Sequence, residues 1–342
     1  MSFDINFGSA GIQTIHLNMG SFDDEGNSLL LMPDGSIVAG GDSNAAGTYD
    51  FIASKLLTDG SFDNSFGVNG IINIATSFNE YNTGVGFQPT KDRIILSGSN
   101  IETAAFFLAA LKSGDGSLDT SFGAGGTKII DVSWEEFGSG SNNNATSLAI
   151  DSSERIILSG FVLHSVELSD MAVVRLQPDG SLDSTFGGNG IVTMNFGSNQ
   201  DESAMAVAIQ SDGKIVLAGY ANDDFAIVRL MPNGTLDTSF DGDGILIHHL
   251  GGVDKSYTVA IQANGKILAA GISDNAMAVT RYLSDGTLDA TFGTAGVAKI
   301  IIGDSTIHTS SMKIQPSDGR IVLCGTCSAS ADLYEMYVIR LK

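Results

Sequence analysis

The chain has 342 residues, 43% of them hydrophobic, and carries 39 acidic against 17 basic side chains for a formal charge of −22. That imbalance repels nucleic acid and anionic membranes and favours cations and basic proteins as partners. No apolar run approaches a membrane span, no basic-then-apolar leader opens the chain, and the two cysteines, Cys324 and Cys327, give no disulfide framework.

Abundant glycine, scarce proline and short β-branched runs predict many brief strands joined by tight turns. The chain opens on Ser2-Phe3-Asp4-Ile5-Asn6-Phe7-Gly8, a marker of the form [ST]-[LF]-D-x-x-F-G that occurs six times. Its aromatic falls at Phe7, Phe66, Phe122, Phe186, Phe240 and Phe292, at steps of 52 to 64 residues. Its acid falls at Asp4, Asp63, Asp119, Asp183, Asp237 and Asp289, and only Asp241 replaces the glycine after the aromatic.

Residues 11–17 follow the first marker as a strand. The later units repeat one order, most cleanly in the fourth: an apolar run at 204–209, a turn at Ser211-Asp212-Gly213 and a second run at 214–219. A third run at 225–230, a turn at Pro232-Asn233-Gly234, the marker and a fourth run at 244–250 complete it. A glycine closes the second run of every unit: Gly41, Gly98, Gly160, Gly219, Gly271 and Gly325. The last run, 336–341, is a third strand, so residues 11–17 are expected to pair with it as the outer strand of the last unit. Four strands per unit, without helical periodicity, predict an all-β, six-bladed β-propeller of four-stranded antiparallel blades, one domain over residues 1–342.

The repeat, as in AIQSDGKIVLAGYANDDFAIVRLMPNGTLDTSFDGDGI, resembles the delta-60 repeat family of bacterial β-propellers and, more distantly, the NHL-type blade. The resemblance implies the propeller fold and a secreted or cell-surface setting. It implies no general activity.

A residue that recurs in every blade serves a structural task better than a catalytic one, because an active site needs a single constellation. The marker Asp is therefore expected to accept backbone N–H bonds in the turn after the third strand. A base recurs in the third strand at Lys55, Arg175, Arg229, Arg281 and Arg340, missing only near Ala110-Leu111, which suggests a buried base–Asp pair in each blade. Cys324-Gly325-Thr326-Cys327 has the spacing of a redox or metal motif, yet Cys324 fills a slot held elsewhere by Gly40, Ser97 and Ala218, so a small buried thiol is expected. His248 and His249 are neighbours on one strand and face opposite ways, which makes them weak metal candidates and better read as surface histidines.

Charge placement bears most directly on function. In an antiparallel meander, the loops after the second and fourth strands share one end, and these loops hold twenty carboxylates with Lys255 as their single base. Variable loops on a rigid scaffold are favoured places for recognition. The expected binding face includes Asp23, Asp24, Glu25, Trp134, Glu135, Glu136 and His164. Asp201 and Glu202, with Asp223 and Asp224, are the expected ligands of a weak Ca²⁺ site. The function expected is a monomeric, non-catalytic module that binds a basic protein or a divalent cation. The alternative is a metal-dependent hydrolase of the lactonase type, with Asn27, Asn82 and Asn144 near the channel mouth.

Overall fold

The computed structural model describes residues 6–9, 12–15, 24–44, 47–76, 78–132, 143–163, 168–197, 201–274, 276–301, 307–330 and 333–341, with the side chains of 307–308, 327–330 and 333–336 left undescribed. Twenty-three strands and no helix occur among them. Blade 1 is β1 (Asp24–Leu31), β2 (Ile37–Ser43), β3 (Asp50–Leu56) and β4 (Ile71–Ile74). Blade 2 is β5 (Glu80–Gln88), β6 (Arg93–Asn100), β7 (Ala105–Lys112) and β8 (Thr127–Ile130). Blade 3 is β9 (Asn144–Ile150), β10 (Ile156–Leu163), β11 (Ser169–Leu176) and β12 (Ile191–Met194). Blade 4 is β13 (Glu202–Ile209), β14 (Ile215–Ala221), β15 (Asp224–Leu230) and β16 (Ile245–His248). Blade 5 is β17 (Asp254–Ile261), β18 (Ile267–Ser273), β19 (Ala276–Tyr282) and β20 (Val297–Ile300). Blade 6 is β21 (Ile307–Ile314), β22 (Ile321–Ser330) and β23 (Leu333–Leu341).

Each sheet runs in sequence order, so the chain is an all-β, six-bladed propeller whose last blade has three strands. Contacts group the chain into two compact units. One comprises Met1–Leu158, Val162–Val166 and Val174–Asp183, and the other Ser159–Phe161, Glu167–Val173 and Ser184–Lys342. Blades 1 and 2 belong to the first unit and blades 4 to 6 to the second.

The turns explain the D-G-[ST] punctuation of the sequence. Asp34 Oδ1 accepts the Ser36 N–H at 2.9 Å and its hydroxyl at 2.6 Å, while Gly35 takes φ 84°. Asp59 with Ser61, Asp115 with Ser117, and Asp285 with Thr287 make the same closure. A short acceptor side chain followed by glycine thus replaces the hydrogen bonds that the strands end without.

The glycine that closes each second strand has a different cause. In blades 1, 2, 4, 5 and 6 the first strand bulges opposite it: the register shifts between Gly26/Ser28, Asn82/Gly84, Ala204/Ala206, Ser256/Thr258 and Thr309/Ser311. The bulge pushes a carbonyl oxygen of the first strand toward the facing glycine. A Cβ on Gly41, Gly98, Gly219 or Gly271 would overlap the carbonyl of Glu25, Tyr81, Ser203 or Lys255 respectively. Only glycine fits under the bulge.

The markers join successive blades. Phe66 lies on Gly116 and Phe122 on Gly180 in the first unit, and Phe186 lies on Gly234 and Phe240 on Gly286 in the second. The backbone N–H after each aromatic donates to the same turn, as in Gly67 to Asp115 at 2.8 Å and Asp241 to Asp285 at 2.8 Å. These rings are fully buried. Phe7 docks in the same way on Gly60, with the Gly8 N–H 2.7 Å from the Asp59 carbonyl. The first marker is therefore seated on blade 1 as the markers of Phe66, Phe122, Phe186 and Phe240 are seated on the blades that follow them.

The expected ladder between residues 11–17 and 336–341 is not shown. Gly11, His16 and Leu17 lie outside the described residues, Ile12 bridges to Ser9, and β23 pairs with β22.

Behind the markers at Asp63, Asp119, Asp237 and Asp289, the acid is engaged on both sides. Asp237 Oδ1 accepts the N–H and hydroxyl of Ser239 at 3.1 and 2.7 Å, and its Oδ2 lies 2.7 Å from Arg229 Nε and 3.2 Å from Lys214. Asp63 pairs with Lys55 at 3.1 Å, Asp183 with Arg175 at 2.7 Å, and Asp289 with Arg281 at 2.7 Å. In blade 2 the third strand has Ala110 where the other blades have the base, and Arg93 of the adjacent β6 reaches Asp119 at 2.7 Å. The arginine also stacks on the marker ring, 4.7 Å from the Phe240 centroid for Arg229 and 4.7 Å from that of Phe292 for Arg281. Arg229 Nη1 then reaches the Ser284 carbonyl of the following blade at 2.6 Å. Arg340 is exposed, and Asp4 lies outside the described residues.

Candidate functional site

The loops after second and fourth strands meet at corners where a third strand of one blade and a first strand of the next begin side by side. Three corners carry a pair of acids: Asp50 with Glu80, Asp170 with Glu202, and Asp224 with Asp254. Asp50, Glu80, Asp170, Glu202 and Asp254 are all buried, as is Asp42 in β2. Six carboxylates that the sequence assigns to an outward acidic end are thus interior groups.

At the first corner, the Thr76 N–H donates to Asp50 Oδ1 at 3.2 Å and the Thr76 hydroxyl to Glu80 Oε1 at 2.6 Å. Asn100 adds a second donor to Glu80 Oε1 at 2.9 Å. The other oxygens, Asp50 Oδ2 and Glu80 Oε2, are buried without a hydrogen-bond partner. Burial pushes Glu80 up to about 7 against these hydrogen bonds, and the charges of Asp50 and Glu102 add to the rise. At the second corner, burial likewise pushes Glu202 up to about 7. The Phe196 N–H at 3.1 Å opposes the shift, and Asp170 and Asp201 reinforce it.

The third corner adds a base. His249, one residue beyond β16, places Nδ1 2.6 Å from Asp224 Oδ1 and 3.8 Å from Asp254 Oδ2. The Leu250 N–H holds Asp254 Oδ2 at 2.6 Å, while Asp254 Oδ1 is buried and unpartnered. The hydrogen bond and charge of Asp224 raise the His249 pKa above its ordinary value. His248, expected at the surface, is half-buried instead: its Nδ1 lies 3.0 Å from the buried Tyr282 hydroxyl, and burial lowers its pKa. The strand pleat sends one histidine to the core and the other to the corner.

Near the start of blade 1, Asp42 gathers a polar group. Asn27 donates to its Oδ1 at 2.8 Å and the Asn82 N–H does so at 3.2 Å; the Ser28 hydroxyl reaches Asn82 Oδ1 at 2.6 Å. Burial lifts Asp42 to about 6, with Glu25 adding repulsion.

The four residues expected to hold Ca²⁺ fall at different corners. Asp201 Oδ1 accepts the Ser169 hydroxyl at 2.6 Å, and Glu202 is buried beside Asp170. Asp223 is exposed and lies 3.4 Å from Lys255, whereas Asp224 belongs with His249 and Asp254. Of the expected binding face, Asp24 is half-buried and accepts the Ser43 hydroxyl at 2.6 Å, and Glu25 is exposed. Asp23, Trp134, Glu135, Glu136 and His164 lie outside the described residues. Cys324 is a free, partly buried thiol. The sequence does not bring His249 and Asp254 together with Asp224, because they lie 25 and 30 residues beyond it and meet it only through the blade meander.

Comparisons with known proteins agree with the fold. A family model described as a domain of unknown function (DUF5122) β-propeller matches residues 33–66, 155–186, 210–240 and 262–292. No curated protein matches the chain in sequence. Among solved structures, a catalytically inactive virginiamycin B lyase from Staphylococcus aureus with quinupristin is 10% identical, with a TM-score of 0.53 over 94% of this chain and 86% of that one. A protein from Lactobacillus plantarum is 12% identical, with a TM-score of 0.53 over 93% and 88%. An α-L-arabinanase from Penicillium chrysogenum complexed with arabinobiose is 8% identical, with a TM-score of 0.55 over 93% of both chains. At such identities the likeness concerns the fold alone. The matched repeats and the blades together identify the chain as a β-propeller repeat protein.

Proposed function

We propose that the chain is a non-catalytic binding propeller whose acidic loops take a basic protein segment. The observation that carries this reading is the state of the loops in the second unit. Asp201, Asp223 and Asp274 stand on successive loops joined by backbone bonds from Asn222 to Asp201, Asp254 to Asp223, and Asp274 to Val253. The neighbouring base, Lys255, is occupied by Asp223 at 3.4 Å and by the Tyr220 ring at 4.2 Å. Loop carboxylates held on a rigid frame favour a cationic ligand at little conformational cost. A lysine-rich peptide titrated into the full chain should bind more weakly as salt rises. The combined substitutions Asp201→Asn, Asp223→Asn and Asp274→Asn should weaken binding by about tenfold or more. Unchanged binding by that variant would sink the reading.

A second reading, a metal-dependent hydrolase, is favoured by the buried polar group around Asp42, whose carboxyl burial pushes up to about 6. Lactone hydrolysis in the presence of CaCl₂ or ZnCl₂ that disappears in Asp42→Asn would support it over the binding module.

A further inference from the structure

The third corner, which lies in the second unit, holds a donor set unlike the other two. The ligand atoms of Asp224, His249 and Asp254 all lie within 4.8 Å of one another. They come from three separate pieces of chain: β15, the segment after β16, and the start of β17 in the next blade. Two of them are oriented by their surroundings. The pleat turns His249 outward because His248 is engaged with Tyr282. The Leu250 N–H orients Asp254 through Oδ2 at 2.6 Å.

A second observation points to a ligand. Asp254 is fully buried, and its Oδ1 has no hydrogen-bond partner. A buried carboxylate oxygen left unsatisfied costs free energy that a cation at the corner would offset. The acids alone do not decide the ion; the imidazole does. Ca²⁺ takes six to eight oxygens, whereas borderline ions such as Zn²⁺ accept imidazole nitrogen with carboxylate oxygen at about 2.0–2.2 Å. Two ligands of one tetrahedral ion at those bond lengths stand about 3.4 Å apart, and the 3.8 Å from His249 Nδ1 to Asp254 Oδ2 is near that value. The 2.6 Å hydrogen bond to Asp224 would open by under an ångström as the ion replaces the shared proton.

We propose that Asp224, His249 and Asp254 form a divalent transition-metal site of the Zn²⁺ class that ties the outer part of blade 4 to the inner strand of blade 5. His249 binds through Nδ1 in its neutral form, so metal uptake releases the proton held between Nδ1 and Asp224. His249 is exposed at 66% of its side-chain surface, which leaves the ion reachable from solvent and the remaining coordination to water.

The full chain, stripped with EDTA and dialysed, tests this by calorimetric titration with ZnCl₂, CaCl₂ and MgCl₂ at matched ionic strength. One Zn²⁺ per chain should bind and raise the melting temperature, with Ca²⁺ and Mg²⁺ at least about tenfold weaker. Co²⁺ should give the visible absorption of a low-coordinate nitrogen–oxygen site. His249→Ala, at an exposed position that leaves folding intact, should lower Zn²⁺ affinity at least about tenfold and abolish the Co²⁺ signal. Asp254→Asn should do the same if it folds, which circular dichroism checks separately. Zn²⁺ binding that survives His249→Ala overturns the proposal by locating the ion elsewhere. Absence of Zn²⁺ binding, or equal affinity for Ca²⁺, overturns it as well.

Discussion

Asp237 divides its two oxygens between a turn and an ion pair, and its replacement separates those tasks from surface charge. Burial opposes its ionisation, yet the hydrogen bonds from Ser239 and Lys214 and the charge of Arg229 hold the carboxyl well below the usual range. Asp237→Ala would strand Arg229, which is itself 3% exposed in its side chain, beside Phe240 without its anion. Breaking a buried pair from one side costs about 3–5 kcal/mol, so urea unfolding should register a loss of that order. Asp223→Ala, an exposed loop change, should stay within about 0.5 kcal/mol. The acid and its structural task were legible in the sequence because six copies can be compared within one chain. Its partner in blade 2 was not: Arg93 comes from the strand beside the expected one, and both positions send a side chain to the same seam.

At the scale of the element, the recurring glycine was visible as punctuation but its reason was not. Sequence periodicity marks where a strand ends, whereas the bulge that requires the glycine lies on the neighbouring strand, at Ala204/Ala206 for Gly219. Gly219→Ala would drive its Cβ into the Ser203 carbonyl, a backbone group that cannot swing aside as a side chain would. The strand must shift or the bulge must relax, at a cost of about 1–3 kcal/mol or more. Gly188→Ala, where the left-handed backbone at φ 90° is strained but the space is open, should cost about 1 kcal/mol. Thermal melts of the two variants rank them, and an equal loss would show that a small strand shift relieves the close approach at Gly219. The corner acids were hidden for a related reason. Asp50 and Glu80 read as loop charges at strand ends, and nothing in their local sequence tells that the blade meander closes over them.

Those buried acids give the whole molecule an unusual response to pH. In the unfolded chain, Glu80 and Glu202 lose their protons near the ordinary 4.5 and Asp42 near 3.8, whereas in the folded chain they hold them to about 7, about 7 and about 6. Between those limits the folded state binds more protons than the unfolded one, so stability falls as pH rises through that window. The marker acids Asp237 and Asp289 behave oppositely. Their folded values are depressed, so their contribution is present above about 4 and is lost only in strong acid. The melting temperature should therefore decline from pH 5 to pH 8 and fall again well below pH 4. General repulsion in a chain of charge −22 would also weaken the fold at higher pH. Salt distinguishes the two, because at 1 M the Debye length is about 3 Å and surface repulsion is screened, whereas buried carboxyls keep their desolvation penalty. In 1 M NaCl the decline toward pH 8 should persist in the native chain. It should be flattened by Glu80→Gln with Glu202→Gln, substitutions that keep the shape of each side chain and remove its charge. The acid limb should be unchanged in the same variant, since Asp237 and Asp289 are untouched. A melting temperature that instead climbs from pH 5 to pH 8 in the native chain would mean that the corner carboxyls are ionised in the folded state.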